Sequence, residues 1–195
     1  DTEVFIKIGS AIWSIPVLDG FSFSQATNAS EITLNEMADT SGNSRRGRQM
    51  FTDSYAPAEW SFSTYMRPFA SAGSGSGAAD SSAKHHAVEE VLWALMVGAA
   101  TYSSNTFPGF TADTTDLDIT FTNSNKTTLG PATAAGAEFF FVMGGAGSGT
   151  KTTYKITGCV VNEASIDFDI DGIATINWSG FGKIITEDTA PTATV

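Results

Sequence analysis

Apolar and polar residues alternate along most of the chain with a period of two. Near the start of the sequence, for example, Val4, Ile6 and Ile8 occupy every second position. Successive side chains of a β-strand point to opposite faces, so this pattern predicts half-buried strands. The predicted strands cover residues 2–8, 20–27, 31–35, 58–66, 116–121, 138–143, 152–161 and 164–183. The 138–143 segment is apolar throughout after its first residue, which predicts a strand covered on both faces.

One stretch has the periodicity of an amphipathic helix. Its apolar residues fall at i, i+3, i+4 and i+7 and form one stripe: Val88, Val91, Leu92 and Leu95. Ser82 is a candidate N-cap and Gly98 a candidate stop. The pattern therefore predicts a mainly β protein with one helix packed against the β-structure.

Three stretches lack both periodicities. Residues 37–55 and the Gly/Ser-rich residues 71–79 predict loops, and residues 186–195 predict an extended C-terminal tail. A structureless loop of about 19 residues is unusual in a compact domain unless it binds something.

The 37–55 loop contains a run of positive charge, formed by Arg45, Arg46 and Arg48. Such a run is typical of a solvated loop. The alternative is a contact with an acidic surface, and this chain is itself the nearest acidic surface. Both interpretations remain open at this point.

The last predicted hairpin has two different faces. Opposite residues of an antiparallel pair share a face, so the loop length must bring like faces together. A two-residue Asp171-Gly172 turn would mix the faces, whereas a three-residue loop over residues 170–172 pairs Asp167 with Thr175. We therefore predict a bulged three-residue loop with Gly172 in the left-handed position.

This register sorts the hairpin residues into a core face and a flat acidic strip. The core face consists of Ile166, Phe168, Ala174, Ile176 and Trp178. The acidic strip consists of Ser165, Asp167, Asp169, Thr175, Asn177 and Ser179. An ordinary solvated face would have the same pattern, because antiparallel sheets commonly expose one side to water.

Length and charge limit the possible functions. The 195 residues suit one domain, and the net charge of −11 disfavours binding of nucleic acid through a basic face. Cys159 is the single cysteine, so an intrachain disulfide is impossible. The first residues lack a signal-peptide pattern, and the longest apolar run, residues 91–100, is too short to span a bilayer. We expect a soluble protein that acts without export signals or membrane contact.

Two motifs resemble catalytic or metal sites without completing them. Residues 144–152 are rich in glycine, but a threonine interrupts the Gly-Lys-Ser/Thr order of a phosphate-binding loop, and a strand is predicted to follow. His85 and His86 lie four residues before Glu89 and Glu90, which favours pairing on a helix surface. A metal site would need further ligands that the sequence does not supply nearby.

Residues 167–172 match the first half of a calcium-binding EF-hand loop. Position twelve of that loop is Trp178 instead of the bidentate glutamate, so the calcium site is rejected. Cys159 has no histidine nearby in the sequence and is predicted to be a small buried thiol. We expect no catalytic residues, no metal and no cofactor, and hence no enzyme.

Three segments of the chain resemble a known family. They are APAEWSFSTYMRP at residues 56–68, YKITGCVVNEA at residues 154–164 and IATINWSG at residues 173–180. In order and character they resemble the tail tube (major tail) protein of long-tailed, non-contractile bacteriophages, the siphophages. The resemblance extends from about residue 12 to residue 183.

The resemblance implies an antiparallel β-sandwich or small barrel with one flanking α-helix, here a single domain over residues 1–195. In this family six copies form a ring, inner strands join into a continuous barrel, and rings stack into a tube. The lumen carries the tape measure protein and later DNA during ejection, and tail terminator and distal tail proteins occupy the ends. The resemblance also implies a virion protein that is assembled in the host cytoplasm. Some members carry an additional C-terminal domain, which we expect this chain to lack.

Two hypotheses about sites follow from this resemblance. The acidic strip is expected to line the lumen through Asp167, Asp169, Thr175 and Asn177. The 37–55 loop is expected to lie between rings, where Arg45, Arg46 and Arg48 meet acidic groups of a neighbour. A β-sandwich module that binds a host surface or carbohydrate is the alternative, and it would expose loop aromatics. A small β-fold hydrolase is a third class, for which no nucleophile–base pair is evident.

Overall fold

The structure is a computed structural model that describes residues 2–34, 41, 47–71, 84–97, 102, 107, 109–112, 116–120, 136–144, 151–168 and 172–195. Its strands are β1 (Thr2–Ile8), β2 (Ala11–Ile15), β3 (Leu18–Ser24), β4 (Thr27–Leu34), β5 (Gly47–Tyr55), β6 (Ala58–Tyr65), β7 (Pro68–Ser71), β8 (Lys84–Ala87), β9 (Phe110–Ala112), β10 (Leu117–Ile119), β11 (Ala137–Met143), β12 (Thr152–Asp167), β13 (Thr175–Gly182) and β14 (Ile184–Asp188). Within the described ranges a single short helix, α1 (Glu90–Met96), accompanies them. The chain is thus mainly antiparallel β with one helix, which confirms the predicted fold class.

The long strand β12 joins two parts of the main sheet. In sheet A, β12 contributes its first half, and the strand order is β2-β1-β11-β12-β14. In sheet B, β12 contributes its second half, and the order is β12-β13-β6-β3. β13 and β14 follow one another along the same side of β12, with Val160 opposite Phe181 and Thr157 opposite Ile184. β12 and the β13–β14 segment therefore run through both sheets.

The core lies between the two sheets and α1. Sheet A contributes Phe139 and Phe141, sheet B contributes Trp60 and Trp178, and all four are at least 98% buried. The rings of Trp60 and Phe139 are 4.6 Å apart between centroids, which is direct contact across the sandwich. The alternating strands form because the apolar face of each can be buried in this core. Burial stabilises the fold by about 25 cal/mol for each Å² of apolar surface removed from water.

Sheet A is covered on its outer face as well. Phe5, Phe140 and Val142 form a second buried cluster, and Ala190 of the C-terminal segment packs against it. The backbone N–H of Thr194 donates to the Ile12 carbonyl of β2 over 2.8 Å. These contacts confirm that β11 is covered on both faces. They also correct the predicted tail, because residues 184–188 form strand β14 before the segment turns back across sheet A.

The helix is shorter than predicted. Residues 84–87 form strand β8, which pairs with β7, and α1 begins only at Glu90. The N–H of Val88 donates to the carbonyl of Arg67 over 3.1 Å, so this backbone is bonded to the segment between β6 and β7 and not to a preceding helical turn. Ser82 and Gly98, the predicted ends, lie outside the described residues. In the described part of the chain no helix is long and apolar enough to cross a bilayer.

The second part of the predicted 37–55 loop is a strand. β5 pairs with β4 over the full length of β4, and the N–H of Ala56 donates to the Ala26 carbonyl over 2.9 Å, so this hairpin continues the β3–β6 pair outward. We call β4 and β5 the arm. Alternation is not visible in Thr52, Asp53 and Ser54 because these arm residues are exposed on both faces. Residues 72–79 of the predicted Gly/Ser-rich loop lie outside the described residues, and Ser71 ends β7.

Candidate functional site

One face of sheet B is polar across all four strands. Strand pairing places residues of equal parity side by side, so that Ser22, Ser61 and Ser179 form one row, and Ser63 and Asn177 form the next. The opposite face carries Phe62, Ile176 and other core residues. We call this surface the polar face of sheet B. It consists of Ser22, Ser24, Glu59, Ser61, Ser63, Tyr65, Glu163, Ser165, Asp167, Thr175, Asn177, Ser179 and Phe181, with half-buried Leu18 and Val160 at its margins.

The predicted hairpin register is confirmed. Ile166 lies opposite Ile176 and Asp167 lies opposite Thr175, as an odd loop length requires. Farther along β12, a bulge between Val161 and Glu163 shifts the register. Residues 169–171 of the predicted three-residue loop, Asp169 among them, lie outside the described residues.

The core assignment of Phe168 is wrong. This side chain is 76% exposed, whereas Ile176 and Trp178 of the same predicted face are buried as expected. The β12–β13 ladder ends at the Asp167–Thr175 pair, and Phe168 comes directly after it. The predicted assignment of alternate residues to the two faces of the hairpin is therefore right, but the sandwich core does not extend to the tip of the hairpin.

Side-chain hydrogen bonds run across the polar face. The hydroxyl groups of Ser22 and Ser61 are 2.8 Å apart, and Ser63 Oγ donates to Asn177 Oδ1 over 2.6 Å. Asn177 Nδ2 in turn donates to a carboxylate oxygen of Asp167 over 2.9 Å. These cross-strand bonds hold short side chains against the sheet, so the surface is flat and hydrophilic.

The charge on this face has one sign. The strand segments of sheet B, residues 18–24, 58–65, 160–167 and 175–182, contain no lysine and no arginine. Glu59, Glu163 and Asp167 are exposed on the polar face. Such a surface repels anions, and the effect extends over about 8 Å at physiological ionic strength. Of the predicted strip, Asp167, Thr175 and Asn177 thus lie together on an acidic surface.

The arginines of the second hypothesis are only partly described. Arg45 and Arg46 lie outside the described residues, as does most of the tip of the arm. The backbone of Arg48 lies in β5, opposite Thr33 of β4. The register therefore places Arg48 at the end of the arm that is remote from sheet B.

At one end of the polar face is a cleft that the sequence pattern does not predict. Its volume is about 360 Å³, and it is lined by Ser22, Phe23, Ser24, Glu59, Trp60, Ser61, Asn162, Ser179, Gly180 and Phe181. Gly180 lets the Trp60 ring approach β13 closely, because a Cβ at this position would lie 2.4 Å from that ring. A glycine that interrupts an alternating strand is the sequence signal for such a close approach.

The two histidines do not form a metal site in the described structure. His86 lies on β8, where its Nδ1 is 2.7 Å from a carboxylate oxygen of Glu90 at the start of α1. The predicted i, i+4 contact thus exists for this pair, but between a strand and the helix. Burial raises the pKa of Glu89 and of Glu90. Among the residues that the structure describes, no three His, Cys, Asp or Glu side chains are grouped to hold a metal ion.

The other motifs have structural explanations. Cys159 is buried, its thiol donates to the Ile156 carbonyl over 3.3 Å, and burial raises the pKa of this thiol far above its usual range. The predicted buried thiol is thus confirmed. The glycine-rich segment is followed by β12, as predicted, and Lys151 forms an ion pair with Glu3 over 2.7 Å.

Most of this chain is similar in sequence to one known protein. No family model matches the sequence. The tail tube protein pb6 of Escherichia phage T5 is 30% identical over 179 residues, which is 91% of this chain. The chain is related to a phage tail tube protein. This finding confirms the resemblance seen in the sequence, although the chain spans only about a third of the length of this relative.

Several solved structures have a similar course of the chain. They include the tube-terminating cap of the anti-feeding prophage, with a TM-score of 0.43 at 11% identity over 96% of this chain and 88% of that one. The sheath/tube terminator of the PVC extracellular contractile injection system has a TM-score of 0.44 at 10% identity, over 95% of this chain and 93% of that one. The sheath–tube complex of the same injection system has a TM-score of 0.45 at 9% identity, over 96% of this chain and 88% of that one. At this identity and TM-score we infer no function from these structures.

Proposed function

We propose that this chain is a structural subunit of a phage tail tube, in which copies join side by side into rings and the rings stack. The observation that carries the proposal is sheet B, which combines a flat acidic face with two strand edges that have no further strand partner among the described residues. Exposed edges of this kind invite pairing with another chain. The relationship to pb6, a tail tube protein by name, supports the same conclusion.

The direction of the strands allows the two edges to join. Neighbours in sheet B are antiparallel throughout, from β12 through β13 and β6 to β3. Because the number of strands is even, β3 of one copy can pair antiparallel with the second half of β12 in the next copy. A closed ring of copies leaves no edge unpaired, as in other β-barrels. The resemblance to siphophage tube proteins suggests six copies in each ring.

In such a ring the polar face lines the lumen. Asp167, Asp169, Thr175 and Asn177 are then the lumen-lining residues of our proposal, with Glu59 and Glu163 on the same wall. DNA carries about one negative charge per 1.7 Å of helix axis. An acidic wall without lysine or arginine repels this charge, so DNA can slide during ejection without adhering. The tape measure protein would occupy the same channel before DNA, and terminator and distal tail proteins would meet the ends.

The exposure of the tryptophans favours this proposal over a binding module. Carbohydrate-binding surfaces generally present exposed aromatic rings, but Trp13, Trp60 and Trp178 are at least 92% buried. The most exposed aromatic rings of the described residues, Phe168 and Tyr55, belong to different hairpins. Trp93 is half-buried and packs edge-on against Trp178, with 4.9 Å between ring centroids. We assign the chain no enzymatic role, because the arrangement of its sites is explained by structure and assembly.

Electron microscopy of the purified chain tests the proposed function. We expect hollow rings at low concentration and tubes of constant diameter at high concentration, with sedimentation velocity reporting the number of copies in a ring. Particles that remain single subunits over the whole concentration range would overturn the proposal.

The lumen assignment predicts a charge effect on DNA passage. Replacing Asp167 and Asp169 by lysine reverses the sign of the wall, so phosphates would bind to it. We expect tubes of normal appearance, a DNA ejection rate at least tenfold lower and a reduced plaque titre, since a tenfold change in rate needs only about 1.4 kcal/mol of added barrier. Glu187→Lys, on an exposed residue of β14 away from the polar face, is the control. Normal titre of the double variant would remove these residues from the lumen.

A further inference from the structure

The two ends of sheet B are different, and the end at the hairpin tip carries exposed apolar side chains. Phe168 is 76% and Ile173 is 66% exposed, the highest values among the large hydrophobic residues that the structure describes. They lie on either side of the hairpin loop, just beyond the last ladder pair, Asp167 and Thr175. Leaving two such side chains in water forgoes about 1.5–3 kcal/mol each relative to burial. Exposed apolar surface with a polar rim is typical of an interaction site.

The other end of the sheet carries the cleft. Its volume of about 360 Å³ lies within the range of pockets that hold a small ligand or an aromatic side chain. The accessible apolar part of the lining comes from half-buried Phe23 and from Phe181, which is 40% exposed, whereas Trp60 and Gly180 are buried beside it. The cleft therefore offers apolar surface to an entering side chain, with Glu59, Ser61 and Ser179 at its polar parts.

Charges at the two ends are complementary. Strand β6 begins with exposed Glu59 at the cleft end and is followed by exposed Arg67 at the tip end. The position of Arg67 is fixed by the bond from the Met66 N–H to the Ala174 carbonyl, at 3.0 Å, next to the hairpin tip. Translating a copy along the strands therefore brings Arg67 of one copy toward Glu59 of the next.

We propose that this chain stacks head to tail, with Phe168 and Ile173 of one copy seated in the cleft of the next copy and Arg67 facing Glu59. The occupant of the cleft is thus a second copy of this chain. This contact joins two different surfaces of the chain. After two copies have bound, each still has one of the two surfaces free, so copies can be added without limit along one direction. The inference rests on the proposed tube and assigns the contact between successive rings, whereas side-by-side pairing of strand edges assigns the contact within a ring.

A charge swap tests this contact. Glu59→Arg and Arg67→Glu each place like charges opposite one another, whereas the double variant restores opposite charges with their order reversed. Arg67 also lies near the buried Glu89 carboxylate of its own chain, so circular dichroism first checks the fold of the Arg67 variants. We expect each single variant to form rings but to need at least tenfold more protein for tubes, and the double variant to return to within about threefold of the original concentration. Asp118→Arg and Lys84→Glu, on exposed residues outside sheet B, are the matched controls.

The apolar contact is tested with Phe168→Ser combined with Ile173→Ser. Both side chains are exposed in the single chain, so the variant is expected to keep its fold by circular dichroism and to lose tubes while keeping rings. Met96→Ser, on the exposed side of α1, is the control. If the unaltered chain forms tubes and all of these variants form them at the same concentration, the stacking contact is overturned while the tube proposal stands. If the unaltered chain forms neither rings nor tubes, the proposed function itself fails.

Discussion

Gly180→Ala is expected to lower the free energy of unfolding by about 3 kcal/mol, the upper range for overpacking a core. A Cβ at this position would lie 2.0 Å from the Val160 carbonyl oxygen and 2.4 Å from the Trp60 ring. The carbonyl belongs to the backbone of β12, so relief requires β12 and β13 to separate where the two sheets join. Urea denaturation of the unassembled chain measures the effect.

Gly9→Ala is the matched control for this substitution. Gly9 has a φ of 62°, and nothing lies within 4 Å of an added Cβ, so only the left-handed backbone opposes the side chain. That cost is about 1–2 kcal/mol. If Gly180→Ala proves no more destabilising than Gly9→Ala, the close approach between Gly180 and β12 is refuted.

The parts of the fold that the sequence predicts are strands whose apolar pattern is complete within the strand itself. β6 alternates in burial, whereas residues 4–6 of β1 are all buried, and the limits of both strands are predicted to within one residue. The arm is missed because exposed Thr52, Asp53 and Ser54 leave no alternation to read. The start of the helix is misplaced for another reason. The apolar stripe at residues 88–95 has helical spacing. Residues 84–87, however, pair with β7 as a strand, and pairing with a distant segment cannot be read from local periodicity.

The candidate site is likewise predicted only where local sequence pattern determines it. Parity within one hairpin is sufficient to pair Asp167 with Thr175 and to place Asn177 on the same surface. The cleft cannot be found by that reasoning, because it depends on β3, β6 and β13 lying side by side although their residues are far apart in sequence. The exposure of Phe168 depends likewise on where the core ends, which is a property of both sheets together.

Deletion of residues 41–48 is expected to leave a folded chain that forms rings but no tubes. The arm projects from the β3–β6 end of sheet B by the eight residues of β4, or about 26 Å at 3.3 Å per residue. An isolated two-stranded hairpin is marginally stable in water at best. Thr27, Asn28, Glu31 and residues 52–55 are exposed, so the described part of the arm has little cover within one chain. A neighbour in the next ring would supply that cover, and electron microscopy measures the loss of tubes.

The arginines of the arm provide the sharper version of this test. Replacing Arg45, Arg46 and Arg48 by serine keeps the length of the arm and removes its positive charge, which would face the acidic groups of a chain with a net charge of −11. We expect this variant to assemble as poorly as the deletion if charge holds the arm in place. Replacing residues 41–44 by Gly-Gly-Ser-Gly preserves length and arginines and should assemble normally. Tubes of normal length from the deletion would show that stacking does not use the arm, and would leave the ends of sheet B as the contact between rings.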